Sequence, residues 1–160
     1  MPHRADIGRL YDQCGAALYR YALMILADTS AAADAVHDVF VAVLRRRVAL
    51  DHPEHYLRRA VRNECYSVLR RRKTETPAAV AAPSGTGGPL IEPVGSDDPD
   101  LRIAIERALG ELPAEQREVV HLKAFEGMTF QEIADATGES INTVASRYRY
   151  AMEKMRAQLG

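Results

Sequence analysis

Asn142, Ala145, Ser146 and Arg149 recur at the three- and four-residue spacing that gathers side chains on one face of a helix, with Thr143 and Arg147 on its shoulder. An amide, hydroxyls and guanidinium groups so spaced near a helix N-terminus are placed to meet base edges and phosphates in a DNA major groove. That chemistry is recognition, not bond-making. A second concentration is cationic: ten Lys/Arg against three Asp/Glu lie between Val43 and Lys73. On a helix, Arg58, Arg59, Arg62, Asn63, Arg70 and Arg71 fall largely off the apolar stripe, giving a flank that would neutralise phosphates and make binding salt-dependent. From charge alone a solvated face explains it equally well. The arginine runs, however, lack the acidic i,i+4 partners that support such a face.

Nothing comparable points to catalysis. His52 and His55 flank Glu54 at tolerable ligand spacing, but no third and fourth ligand is evident and helix capping explains the glutamate. Asp34, His37 and Asp38 share a helix face and read as a partner-facing polar surface rather than an acid–base site. No Ser/His/Asp or Cys/His constellation is recognisable, and no glycine-rich phosphate loop follows a strand. The reading is a non-enzyme without metal or cofactor. Cys14 and Cys65 fall on apolar stripes as small hydrophobes, with a redox switch the lesser alternative.

The elements that must carry these residues are helical throughout. A stripe at 7, 10, 11, 14, 18, 21, 22, 25 and 26 predicts the first helix. A second follows Ser30 as cap and buries Val36, Val39, Phe40, Val43 and Leu44. A third starts at Asp51 with Pro53 in its first turn and Glu54 three residues on, burying Tyr56, Leu57, Ala60, Val61, Cys65, Val68 and Leu69. Further on, Asp98-Pro99 opens a helix carrying Ile103, Ile105, Ala108, Leu109 and Leu112. Pro113 starts the next, with Val119, Val120, Leu122 and Phe125 inward, closed by Gly127. Thr129-x-x-Glu132 is a capping box for a short helix, Phe130 to Ala136, with Ile133 and Ala134 inward. Gly138 then turns the chain and Ser140 caps a last helix, about Ile141 to Gln158, whose core stripe is Val144, Tyr148, Ala151 and Met155. A short helix, a glycine turn and a longer helix, with a small residue (Ala134) at the crossing, form a helix-turn-helix pattern, the alternative being an α-hairpin used for packing or for protein contact.

Charge divides the chain in three. Residues 1–73 carry net +5, residues 74–100 carry −5 with no Lys or Arg, and residues 101–160 carry −1, so the total of −1 hides a basic domain behind an acidic segment. That segment holds five of the eight prolines and four of the ten glycines and no aromatic residue, the composition of a solvated linker. So long a structureless stretch argues against one compact domain. The expected architecture is all-α: a three-helix domain (1–73), a flexible acidic linker (74–100) and a helix-turn-helix domain (101–160). The longest apolar run, Tyr21–Ala27, is too short to span a membrane, and the start of the chain has no secretory pattern. Two cysteines form no disulfide framework, which favours a reducing, cytoplasmic setting.

Three stretches resemble the extracytoplasmic-function sigma factors of bacterial RNA polymerase. Leu109-Gly-Glu-Leu-Pro-Ala-Glu-Gln-Arg-Glu-Val-Val through Phe125-Glu-Gly-Met-Thr-Phe-Gln-Glu-Ile-Ala to Asn142-Thr-Val-Ala-Ser-Arg is similar to the family's C-terminal domain. Ala33-Asp-Ala-Val-His-Asp-Val-Phe resembles its polymerase-docking segment, and Tyr56-Leu-Arg-Arg-Ala-Val-Arg-Asn through Arg70-Arg-Arg its downstream-element helix. The resemblance implies a dissociable specificity subunit that binds RNA polymerase core at its clamp and flap, and promoter DNA. It implies that Asp34, Asp38, Val39 and Phe40 meet core, that Arg58, Arg62, Asn63, Ser67, Arg70 and Arg71 meet the −10 element, and that Asn142, Thr143, Ser146, Arg147 and Arg149 meet the −35 element. An anti-sigma factor is a common partner in the family. This chain departs from the pattern at three places: no Trp follows Phe40, Ser67 stands where an Asp is usual, and Ala145 replaces a usual Lys or Arg. A stand-alone helix-turn-helix regulator and a helical adaptor for acidic proteins are the alternative readings.

Overall fold

In the computed structural model, residues 4–46, 51–75 and 98–160 are described, and they form seven α-helices with no strand among them. The chain divides into two compact units, one within residues 1–88 and one within 89–160. The acidic-linker expectation falls mostly on residues 76–97, which lie outside the described residues.

In the first unit α1 (Arg4–Leu26), α2 (Thr29–Arg46) and α3 (Pro53–Glu75) pack mutually. A one-sided stripe describes the first half of α1. Its last turns are different: every residue from Tyr21 to Leu26 is buried, Leu23 and Met24 included, because this end lies between both neighbours and a helix covered all round needs no polar face. Leu57, Val61 and Cys65 of α3 are fully buried. Tyr11 and Leu44, assigned inward by periodicity, are exposed, as is Tyr56. Tyr11 instead lays its ring edge-on against Phe40 with centroids 5.1 Å apart.

The helix starts differ from the sequence reading in two places. Asp28, not Ser30, caps α2: its Oδ1 accepts the Ala31 N–H at 3.1 Å. A buried carboxylate that satisfies an orphan helix donor outcompetes a hydroxyl two residues later. The first α3 ladder bond is Tyr56 N–H to the His52 carbonyl at 3.1 Å, which places Asp51 one residue outside the cap. Between α1 and α2 the chain turns through Ala27 at φ +52°, a left-handed conformation unusual for a residue with a Cβ.

The second unit comprises α4 (Pro99–Gly110), α5 (Ala114–Val120), α6 (Phe130–Thr137) and α7 (Ile141–Leu159), with α7 packed on the other three. The Asp98 carboxylate accepts the N–H groups of Asp100 and Leu101 at 3.0 and 3.3 Å, with Pro99 opening the helix as anticipated. Ile103 is exposed: α4 has α7 as its main neighbour in this unit, and of its residues Ala108 and Leu109 are the buried ones. Phe125 is exposed for another reason. Residues His121–Phe125 form a π-helical turn, closed by Glu126 N–H to the His121 carbonyl at 3.0 Å. The wider turn rotates the chain by less per residue, so the ring falls short of the position that a 3.6-residue period assigns it.

Candidate nucleic-acid interface

The local chemistry that builds the helix-turn-helix is complete. Thr129 Oγ1 accepts the Glu132 N–H at 3.0 Å and the Glu132 carboxylate accepts the Thr129 N–H at 3.0 Å, a reciprocal capping box that starts α6. These bonds to Thr129 hold the Glu132 carboxyl below its ordinary 4.5, with the Lys123 ammonium adding to the effect. Gly138 ends α6 at φ +74°, where its N–H reaches the Ala134 carbonyl at 2.9 Å, a geometry that disfavours any side chain. Ser140 then caps α7, accepting the Thr143 N–H at 3.1 Å and donating its hydroxyl to Thr143 Oγ1 at 2.9 Å. Ile133, Ala134 and Val144 are buried between the two helices, and Phe130 meets Tyr148 edge-on at 5.6 Å.

This scaffold leaves Asn142 and Arg149 exposed on α7, while Thr143, Ser146 and Arg147 are half-buried. Two of these residues have local partners that the sequence reading missed. The Arg147 guanidinium lies 3.5 Å from the Glu139 carboxylate in the turn, and the Arg149 guanidinium sits over the Tyr150 ring, 5.2 Å from its centre. At its far end α7 is tied to the α4–α5 turn, where Lys154 donates to the Glu111 carbonyl at 3.0 Å and Gln158 hydrogen-bonds the Glu111 carboxylate.

In the first unit, α3 carries the cationic residues. Asn63, Arg70 and Arg71 are exposed, and Arg58, Arg62 and Ser67 are half-buried. The Arg62 guanidinium stacks on Tyr66 at 4.7 Å, an i,i+4 pair that the sequence spacing could have flagged. Arg71 reaches Glu64 at 3.2 Å across the solvent face. Arg72 turns the other way, to Asp28 at 2.9 Å. On α2, Asp34, His37 and Asp38 are exposed together, whereas Val39 and Phe40 are buried in the core of the unit.

The rival sites stay apart from this pattern. The His52 and His55 rings lie 5.9 Å apart, and the described residues contain no group of three metal-capable side chains. Cys65 is buried and Cys14 half-buried, neither in a disulfide. Burial, reinforced by Glu54, pushes the Cys14 thiol up from 9.0. No helix among the described residues is long and apolar enough to cross a membrane.

Comparison with known proteins decides what kind of helix-turn-helix chain this is. Residues 10–75 match the Sigma-70 region 2 model and residues 102–155 the Sigma-70, region 4 model. Over 159 aligned residues, 94% of this chain and 86% of the relative, it is 31% identical to the ECF RNA polymerase sigma factor SigL of Mycobacterium tuberculosis. The chain belongs to the extracytoplasmic-function sigma factor family. This sigma factor is also 38% identical to the RNA polymerase sigma factor SigV of Bacillus subtilis over 65 residues, 41% of this chain and 39% of that one. Its fold is similar to that of the sigma factor RpoE from Bartonella quintana, solved in complex with the anti-sigma factor NepR, with a TM-score of 0.73, 24% identity and 96% of each chain covered. As a sigma factor it binds RNA polymerase and directs promoter recognition, which sets aside the stand-alone regulator and the adaptor.

Proposed function

We propose that this sigma factor divides promoter reading between its two units. Residues 101–160 serve as the −35 module, in which α7 enters the major groove and Asn142, Thr143, Ser146, Arg147 and Arg149 meet bases and phosphates. The observation that carries this is the doubly bonded Ser140 cap, which starts α7 at the turn and leaves Asn142 exposed. A helix end so held can approach the DNA backbone with its remaining N–H groups aimed at phosphate. Residues 1–73 serve as the −10 and core-binding module. There Arg58, Arg62, Asn63, Ser67, Arg70 and Arg71 line the DNA side of α3, and Asp34 and Asp38 give α2 a polar face for the polymerase clamp.

Val39 and Phe40 act for core binding by packing α2 onto its unit, since their side chains are buried. Arg147, paired with Glu139, contributes by holding the turn as well as by charge. Residues 74–100 join the modules as an acidic tether that imitates a polyanion in the RNA exit path, and the second unit meets the polymerase flap. The protein performs no catalysis itself and works in the cytoplasm beside polymerase. The Bartonella neighbour was solved with an anti-sigma factor. A partner of that kind suits this chain too, because domains of about 60–70 residues bury only about 60% of their unfolded surface and gain stability from being clamped.

The deciding experiment adds the purified full chain to sigma-free polymerase core on fragments of genomic DNA. Promoter-directed transcripts whose start sites shift with −10 and −35 substitutions support the division. Initiation that ignores one of the two elements removes the corresponding module from the proposal.

A further inference from the structure

Three consecutive arginines end α3, and they do not share a fate. Arg70 and Arg71 are exposed, while Arg72 donates to Asp28 Oδ2 at 2.9 Å. The Asp28 side chain is only 6% exposed, and its other oxygen caps α2 through the Ala31 N–H. One carboxylate at the α1–α2 corner thus holds the start of α2 and the last turns of α3. The corner itself is pinned by the left-handed Ala27, whose N–H bonds the Leu23 carbonyl at 2.7 Å. Successive residues on a helix lie about 100° apart, so turning Arg72 inward forces Arg70 and Arg71 outward. A buried carboxylate is costly unless paired, so the pair holds this rotation against thermal motion.

We propose that Asp28 and Arg72 are positioning residues for −10 recognition: their ion pair sets the rotation of the last turns of α3, beyond the buried Leu57, Val61 and Cys65, and couples them to α2, the helix assigned to polymerase. Arg72 itself does not touch DNA. The inference rests on the reading that the outer face of α3 meets the −10 element.

The test uses holoenzyme assembled from core and the full chain. It measures the ratio of open-complex formation on a cognate promoter to that on one with a scrambled −10 element. A loss of folded protein lowers both rates equally and leaves the ratio unchanged, so the ratio isolates positioning. D28N keeps an oxygen for the Ala31 N–H but loses the charge. D28N and R72Q should each lower the ratio about fivefold or more, the double variant no further, and R72K should recover most of it. The salt dependence of promoter binding should be reduced by R70Q and R71Q, and changed by R72Q only as much as by D28N, which removes no cation. Ratios unchanged in D28N and R72Q, with R70Q and R71Q still reducing salt dependence, overturn the positioning role alone. If R70Q and R71Q change neither ratio nor salt dependence, the −10 reading of α3 falls and the inference with it.

Discussion

Substituting Ser140 tests whether the start of α7 faces DNA, and the structure sets the size of the effect. Ser140 supplies one bond to an orphan helix donor, the Thr143 N–H at 3.1 Å, and one hydroxyl bond to Thr143 Oγ1 at 2.9 Å, both at an exposed site. Losing such a cap costs about 1 kcal/mol, and in a domain of 60–100 residues each kcal/mol is worth roughly 4–8 °C of Tm. Ser140→Ala should therefore lower the unfolding midpoint of the second unit by about 5 °C and weaken −35 binding, since Asn142 and Thr143 lie in the turn that frays. Ser140→Asp separates the two effects. Aspartate caps as well as serine and complements the helix dipole, so thermal stability should return to the parent value. The same carboxylate would stand beside DNA phosphates, so −35 affinity should stay low, most clearly at low salt where phosphate repulsion is least screened. Melting followed by circular dichroism and binding followed by fluorescence anisotropy on −35 duplexes read the two quantities. If Ser140→Asp restores affinity along with stability, the start of α7 does not approach the backbone and its docking in the major groove is refuted.

Replacing Ser146 or Arg149 with Ala should cost about 1–3 kcal/mol of discrimination where the side chain pairs with a base edge, measured as the difference in affinity between promoter and scrambled duplexes; equal losses on both assign that residue to phosphate. Glu132 is held below 4.5 by its bonds to Thr129, so its contribution to stability is present above the ordinary carboxylate range and is lost as pH falls through the lowered value. Glu132→Gln should flatten that part of the stability–pH curve, and an unaltered acid limb would show that the capping box carries no proton linkage. Phe40→Ala should destabilise the first unit by about 3–5 kcal/mol, because the ring is buried against Tyr11. Asp38→Asn should leave the melting curve within about 0.5 kcal/mol and weaken core binding in a pull-down, whereas unchanged capture would remove Asp38 from the polymerase surface.

Much of this protein can be read from neighbouring residues. The Asp98-Pro99 start, the Thr129–Glu132 capping box, the Gly138 turn and the Ser140 cap each lie where the residues predict. All of them are bonds between groups two to four positions apart, so a short window of sequence contains both partners. The polar face of α7 is legible for the same reason, since helical periodicity alone collects its residues. Periodicity fails where a second body intrudes. The end of α1 is buried on every side because two helices cover it, and Ile103 stays exposed because its own unit leaves it uncovered. Phe125 rotates outward because the π-helical turn breaks the period, which follows from no local rule.

Charge shows the division most sharply. The amino-acid sequence by itself determined that α3 is rich in arginine and that a helix-turn-helix follows an acidic segment. Helical periodicity also sets Arg70 and Arg71 off the apolar stripe, but it could not say what meets Arg72 on the other side, because that partner, Asp28, lies 44 residues away. Counting charges treats the three guanidinium groups as equivalent. Periodicity tells them apart by direction, and only folding gives Arg72 its partner, by bringing a carboxylate out of water beside it, where leaving that charge unpaired would cost more than ordering the arginine that pairs it.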